Sequence, residues 1–147
     1  ASIDLPIINK QGMIQRGCND CGDCMTGCNV GAKNALTMNY LPMARRAGAE
    51  IFTQTEIQSI EKLDGYYRIH YVYHYEKEGE LCSVPGSITA RIVVLGAGSL
   101  GSTEILLRSQ SSLLQFSPRI GCSFSGNGDI LGVIRHVDPR TAIDGFG

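Results

Sequence analysis

Along the chain, apolar and polar positions mark out a helix, a run of extended segments and a second helix. Gly31 to Ala47, GAKNALTMNYLPMARRA, places Leu36, Tyr40, Met43, Ala44 and Ala47 at helical spacing. Gly48 closes that stretch, and Arg45 and Arg46 fall in its last turn, where cations meet the negative end of the helix dipole. Pro42 has no N–H for the carbonyl of Met38, so the pattern predicts a kink there or a helix beginning only near Leu41. Glu50 to Glu56 alternates through Ile51, Thr53 and Thr55, predicting a strand that continues extended to Lys62. Asp64-Gly65 marks a hairpin turn. Tyr66 to Tyr75 then puts Tyr67, Ile69, Tyr71, Tyr73 and Tyr75 on one side, with Arg68, His70, Val72 and His74 on the other. A turn at Glu78-Gly79 leads to Leu81 to Val84, and Pro85-Gly86 interrupts before Ser87 to Leu95. The whole reads as an antiparallel meander.

The meander feeds Arg91 to Ser109, RIVVLGAGSLGSTEILLRS, in which a buried-type strand passes through a glycine turn into an amphipathic helix opening at Ser99 or Leu100. Gly96, Gly98 and Gly101 satisfy the G-x-G-x-x-G pattern. A turn without Cβ atoms lets a pyrophosphate approach the backbone, and the helix start aims free N–H groups at the anion. A nicotinamide-binding unit also wants an acid about 20 positions on for a ribose hydroxyl. No acid lies between Glu104 and Asp129. The pattern alone is explained equally well by a turn that lets a helix pack closely on a sheet. Beyond the helix, Ser109 to Pro118 reads as a loop, Gly126 to Asp129 as a tight turn, and Val133 to Gly147 as the start of another extended segment. Ala1 to Gly17 reads as an ordered arm without chemistry of its own.

The cysteines change this picture. Four of the six crowd into GCNDCGDCMTGC, with Cys18, Cys21, Cys24 and Cys28 spaced C-x2-C-x2-C-x3-C. That spacing matches the ferredoxin run that ligates a four-iron cluster, except that Asn29 stands where proline usually follows. A tetrahedral thiolate zinc site competes with the iron–sulfur cluster, and a cysteine-rich loop without metal is as good an account as the two metal readings together. His70 and His74 share a strand face, but their spacing favours solvated histidines over joint ligation.

Charge and hydropathy narrow the function classes. A net charge of −1 lacks the basic excess of nucleic-acid or membrane-surface proteins. No run approaches the roughly 18 apolar residues of a membrane span. Ala1 to Gln15 has no signal-peptide form, so the expectation is a soluble, cytoplasmic protein.

The ordered succession AGAEIFTQTEIQSIEK, meander, RIVVLGAGSLGSTEILLRS and SFSGNGDILG, preceded by CNDCGDCMTGCNVGAKNALTMNYL, resembles the glucose-methanol-choline (GMC) oxidoreductase family, most closely its cholesterol-oxidase-like branch. The resemblance covers about residues 17 to 135. It implies an α/β protein with a partial FAD/NAD(P)-binding fold: parallel strands, an antiparallel β-meander and two helices. It implies an N-terminal arm and Cys-rich loop (1–34), a partial FAD-binding domain (35–109) and a loop with the start of the next segment (110–147). Glu50 to Ile57 would be a strand beside the adenine, with the Ile57 backbone at its edge. Gly96, Ala97 and Gly98 would line the nucleotide cleft, and Asn127, Gly128 and Asp129 would approach the flavin. Family members usually carry alanine where Gly96 stands and often an acid at the position of Thr37.

The resemblance further implies an FAD-dependent alcohol oxidase or dehydrogenase, with FAD and a small-molecule alcohol, sterol-like or otherwise apolar, as partners. The family's main glycine loop lies ahead of the cysteines and its catalytic histidine near the C-terminus. His70, His74 and His136 match no catalytic position, so no catalytic residue is assigned. The expectation is an internal fragment of a larger flavoenzyme, inactive alone and lacking N- and C-terminal segments. A small four-cysteine iron–sulfur electron-transfer protein, and a nucleotide-binding module without catalysis, are the alternatives.

Overall fold

The computed structural model describes residues 6–22, 24, 27–130 and 132. The extended segment expected over Val133 to Gly147, His136 included, lies outside the described residues. The chain forms two compact units, one comprising Ala1–Ile51 and Leu131–Gly147, the other Phe52–Ile130.

In the first unit, β1 (Ile7–Ile8) and β2 (Ile14–Gln15) make a short antiparallel hairpin where the sequence shows only an arm. Asn9 organises it. Its Oδ1 accepts the N–H groups of Gln11 and Met13 at 2.9 and 3.0 Å, while its Nδ2 donates to the Met38 carbonyl at 2.8 Å. A 3-10 turn, Leu36–Met38, precedes α1 (Tyr40–Arg46). Pro42 therefore falls in the first helical turn, where its missing N–H costs no intrahelical bond, and no kink is needed. Asn39 supplies the cap through its side chain, and Gly48, at φ +92°, ends the helix as expected. The apolar stripe of α1 forms but is not covered, since the helix has no buried residue.

The second unit is the meander with one helix on it. β3 (Thr55–Lys62), β4 (Tyr67–Lys77) and β5 (Glu80–Ala90) pair antiparallel in the order β3-β4-β5. Gly65, at φ +76°, turns the first hairpin. Glu78 and Gly79 both take positive φ in the second, the backbone that two-residue hairpins favour. Three expectations are corrected. β3 begins only at Thr55, because Gln54 sits at φ +55° and breaks the extended run from Glu50. β5 runs unbroken through Pro85-Gly86: among the described residues it is an edge strand, where a missing N–H need cost no ladder bond, and the Tyr71 ring lies directly over Gly86. Ile92 to Leu95 is not a strand, and no parallel pairing occurs among the described residues, where both sheets are antiparallel.

The helix α2 (Gly98–Ser109) packs on β3 and closes the core, formed by Ile60, Ile69 and Ile105. Val93 and Leu95 join that cluster, while Ile92 and Val94 between them are 80% and 87% exposed. The segment is thus covered on one side only.

Candidate functional site

The glycine turn and β3 meet at this core. Leu95, immediately before the turn, and Ile57, in β3 opposite Tyr71, pack on the same cluster. The two segments expected to border an adenine nucleotide are thereby brought together, although Leu95 joins through side-chain packing rather than through a shared ladder.

Each residue of the turn has a different reason for its identity. Gly98 opens α2 at φ +71°, a conformation that penalises a Cβ. A Cβ on Gly101 would stand 3.1 Å from the Ala97 methyl, so this glycine serves helix packing. Gly96 has neither constraint: its φ is not in the positive range, and a Cβ there would meet nothing within 4 Å. The surrounding space also accommodates the alanine that the family resemblance leads one to expect. Ala97 is the N-cap and provides no side-chain cap for the helix, while its own N–H donates to Ser102 Oγ at 3.1 Å. The first turn of α2 thus presents N–H groups uncapped by any side chain, at the positive end of a helix dipole. Ser102 is a contributor that the glycine pattern does not reveal, because its hydroxyl faces the turn only once the helix has formed.

Asn127 and Gly128 form the expected turn with φ of +57° and +76°. It is held locally, by the Asn127 N–H on Ser125 Oγ and the Asp129 N–H on the Gly126 carbonyl. All three of Asn127, Gly128 and Asp129 are exposed. Beside Leu95, a cavity of about 360 Å³ is lined mainly by apolar groups, among them Ile60, Val93, Leu106 and Phe116, with Tyr67 and Arg91 contributing polar ends.

The histidines of β4 form cross-strand pairs rather than a joint site. His74 Nε2 lies 3.2 Å from Glu56 Oε2, and His70 Nε2 lies 3.5 Å from Glu61 Oε2, which also takes Arg68 at 3.0 Å. The His74 hydrogen bond holds the Glu56 carboxyl below its ordinary range.

Cys18, Cys21, Cys24 and Cys28 line a separate cavity of about 240 Å³ in the first unit, and all are free. Among the described residues, no three His, Cys, Asp or Glu side chains are arranged to hold a metal ion. The structure therefore gives neither the iron–sulfur nor the zinc reading a ligand set. The sulfurs have other partners: Cys18 exchanges hydrogen bonds with Asp20, and Cys28 accepts backbone N–H groups.

Comparison with known proteins agrees with the order of these elements. Residues 11–125 match the family model for GMC oxidoreductase. The chain is 36% identical over 120 residues to cholesterol oxidases of two Mycobacterium tuberculosis strains, CDC 1551 / Oshkosh and H37Rv, covering 79% of this chain and 20% of theirs. It is 32% identical over 140 residues to a cholesterol oxidase of Acinetobacter baumannii, covering 87% of this chain and 24% of that protein. The chain thus spans about a fifth to a quarter of the length of these curated relatives. No solved structure matches it. The matched span takes in the cysteine run, the meander and the glycine turn together, and the chain belongs to the GMC oxidoreductase family.

Proposed function

We propose that the chain is a stretch of an FAD-dependent oxidoreductase that oxidises an alcohol, a sterol or another apolar one, and that it forms part of the cofactor wall. When bound, FAD supplies the hydride acceptor of this chemistry. The chain's own residues bind and orient. Gly96, Ala97 and Gly98 receive the pyrophosphate against the uncapped N–H groups of α2, and the Ile57 backbone borders the adenine. Asn127, Gly128 and Asp129 approach the flavin. No residue here is assigned the base that takes the hydroxyl proton, so the 147-residue chain is expected to show no turnover and weak FAD affinity at most.

The observation that carries this reading is Gly96. Neither backbone angle nor packing demands a glycine there, yet it opens onto the uncapped start of α2. Open backbone at a helix N-terminus suits a bound phosphate. Titration of the labelled chain with FAD tests it. Amide shifts are expected at Ile57 and from Gly96 to Leu100, and Gly96→Val should abolish them while leaving the unfolding midpoint unchanged. Absence of those shifts at millimolar FAD overturns the assignment. A tight, stoichiometric yellow complex contradicts the claim that the chain holds only part of the site.

A further inference from the structure

The cofactor reading makes no use of the clustered cysteines. Their four thiols share one cavity with Lys33, but they are chemically unequal. Gly31, at φ +78°, turns the chain so that the N–H groups of Ala32 and Lys33 both reach the Cys28 sulfur, at 3.3 and 3.4 Å. The Lys33 ammonium donates to the Cys24 carbonyl at 3.1 Å, which fixes a positive charge in the same cavity. Two N–H donors on one sulfur favour a thiolate, and the Lys33 and Ala32 N–H groups hold the Cys28 thiol below its ordinary range. Cys18 is arranged differently. Its sulfur takes one N–H, that of Asp20 at 3.4 Å, and faces the Asp20 Oδ1 at 3.5 Å.

We propose that Cys28 and Cys24 form a thiol–disulfide redox pair in which Cys28 is the attacking thiolate and hydrogen peroxide the oxidant. Cys24 is the partner because it is half-buried like Cys28, lines the same cavity, and is tied through its carbonyl to the lysine whose amide meets the Cys28 sulfur. In the first step the Cys28 sulfur attacks one peroxide oxygen. An S–O bond forms, the O–O bond breaks, and the departing oxygen takes up a proton to leave as water. Sulfur is oxidised by two electrons and peroxide is reduced. The Cys24 thiol then attacks the sulfenic sulfur: an S–S bond forms, the S–O bond breaks, and hydroxide leaves as water with the Cys24 proton.

The reduced 147-residue chain, given limiting peroxide, alkylated and peptide-mapped over time, tests this. Cys28 is expected to oxidise at least roughly threefold faster than Cys82 or Cys122, since thiolate gain outweighs the partial loss of nucleophilicity. The first disulfide should join Cys24 to Cys28. Cys24→Ser should leave a Cys28 sulfenic acid that dimedone traps. Lys33→Gln, which keeps every thiol but releases the Cys24 carbonyl, should slow closure of the Cys24–Cys28 disulfide and covers the case in which the serine variant misfolds. Equal rates at Cys28, Cys82 and Cys122 overturn the proposal. So do a first disulfide to Cys18 or Cys21, an unchanged rate of disulfide closure in Lys33→Gln, and stoichiometric zinc or iron in the purified chain.

Discussion

Ser109→Ala tests how the glycine-turn helix is held to the sheet. Ser109 is the last residue of α2 and is 5% exposed; Ile60, in β3, is 6% exposed. The Ile60 N–H donates to Ser109 Oγ at 2.7 Å, and that hydroxyl donates in turn to the Ile105 carbonyl. Among the described residues β3 is an edge strand, so this N–H finds no ladder partner on its outer side there and bonds the serine instead. Alanine leaves a buried N–H unsatisfied, which costs about 1–3 kcal/mol. Against that, alanine improves helix propensity by a few tenths of a kcal/mol, roughly 0.5 at most. The net expectation is a loss of about 0.5–2.5 kcal/mol, or about 2–20 °C in Tm for a unit of this size. Urea unfolding followed by circular dichroism measures it, and amide exchange at Ile60 locates it. Ser111→Ala, whose hydroxyl serves an exposed turn, is the control and should stay within about 0.5 kcal/mol. A Ser109→Ala variant as stable as that control, with Ile60 still protected, refutes the reasoning.

Three further outcomes follow from particular contacts. A Cβ at Gly86 would stand 2.5 Å from Tyr71 Cζ, so Gly86→Ala should displace the ring and cost about 1 kcal/mol; the cost should vanish in a Tyr71→Ala background, as a double-mutant cycle would show. Gly98→Ala forces a Cβ into φ +71° and should cost about 1–2 kcal/mol, read from the urea midpoint, with loss of helical signal at the start of α2. The depressed folded pKa of Glu56 means that its contribution to stability is complete above the unfolded carboxylate range and is lost as pH falls through the folded value. His74→Ala should raise the Glu56 midpoint in an NMR titration, and an unmoved midpoint would show that the pair is not coupled.

Much of the second unit was legible because its signals are local. Alternation in Tyr67 to Tyr75, Asp64-Gly65, Glu78-Gly79 and the helical spacing before Ser109 act over a few residues, and each element appears at its expected place. The stacking of Tyr73 on Tyr75, with centroids 5.9 Å apart, follows from the same period of two. Gln54, Pro85 and Ile92 to Leu95 were misread because their outcome depends on neighbours. Local alternation does not show the left-handed angle at Gln54, the edge position that tolerates Pro85, or the absence of a ladder partner for Ile92 to Leu95 among the described residues. In the site, the glycine turn was visible as a pattern, while Ser102 and Ser109 were not, since their hydroxyls find partners only after the chain folds back.

By itself the sequence determined the two hairpins of the meander, the glycine turn, the second helix and the resemblance that led to the family, because turn chemistry and side-chain period are written residue by residue. Only the tertiary structure decided that Leu95 and Ile57 share one core, that Gly96 opens onto an uncapped helix start, and that the Cys28 sulfur accepts two N–H groups from the turn after Gly31. These are relations between positions separated by loops or strands, and spacing along the chain carries no direct information about which donors will face which acceptors.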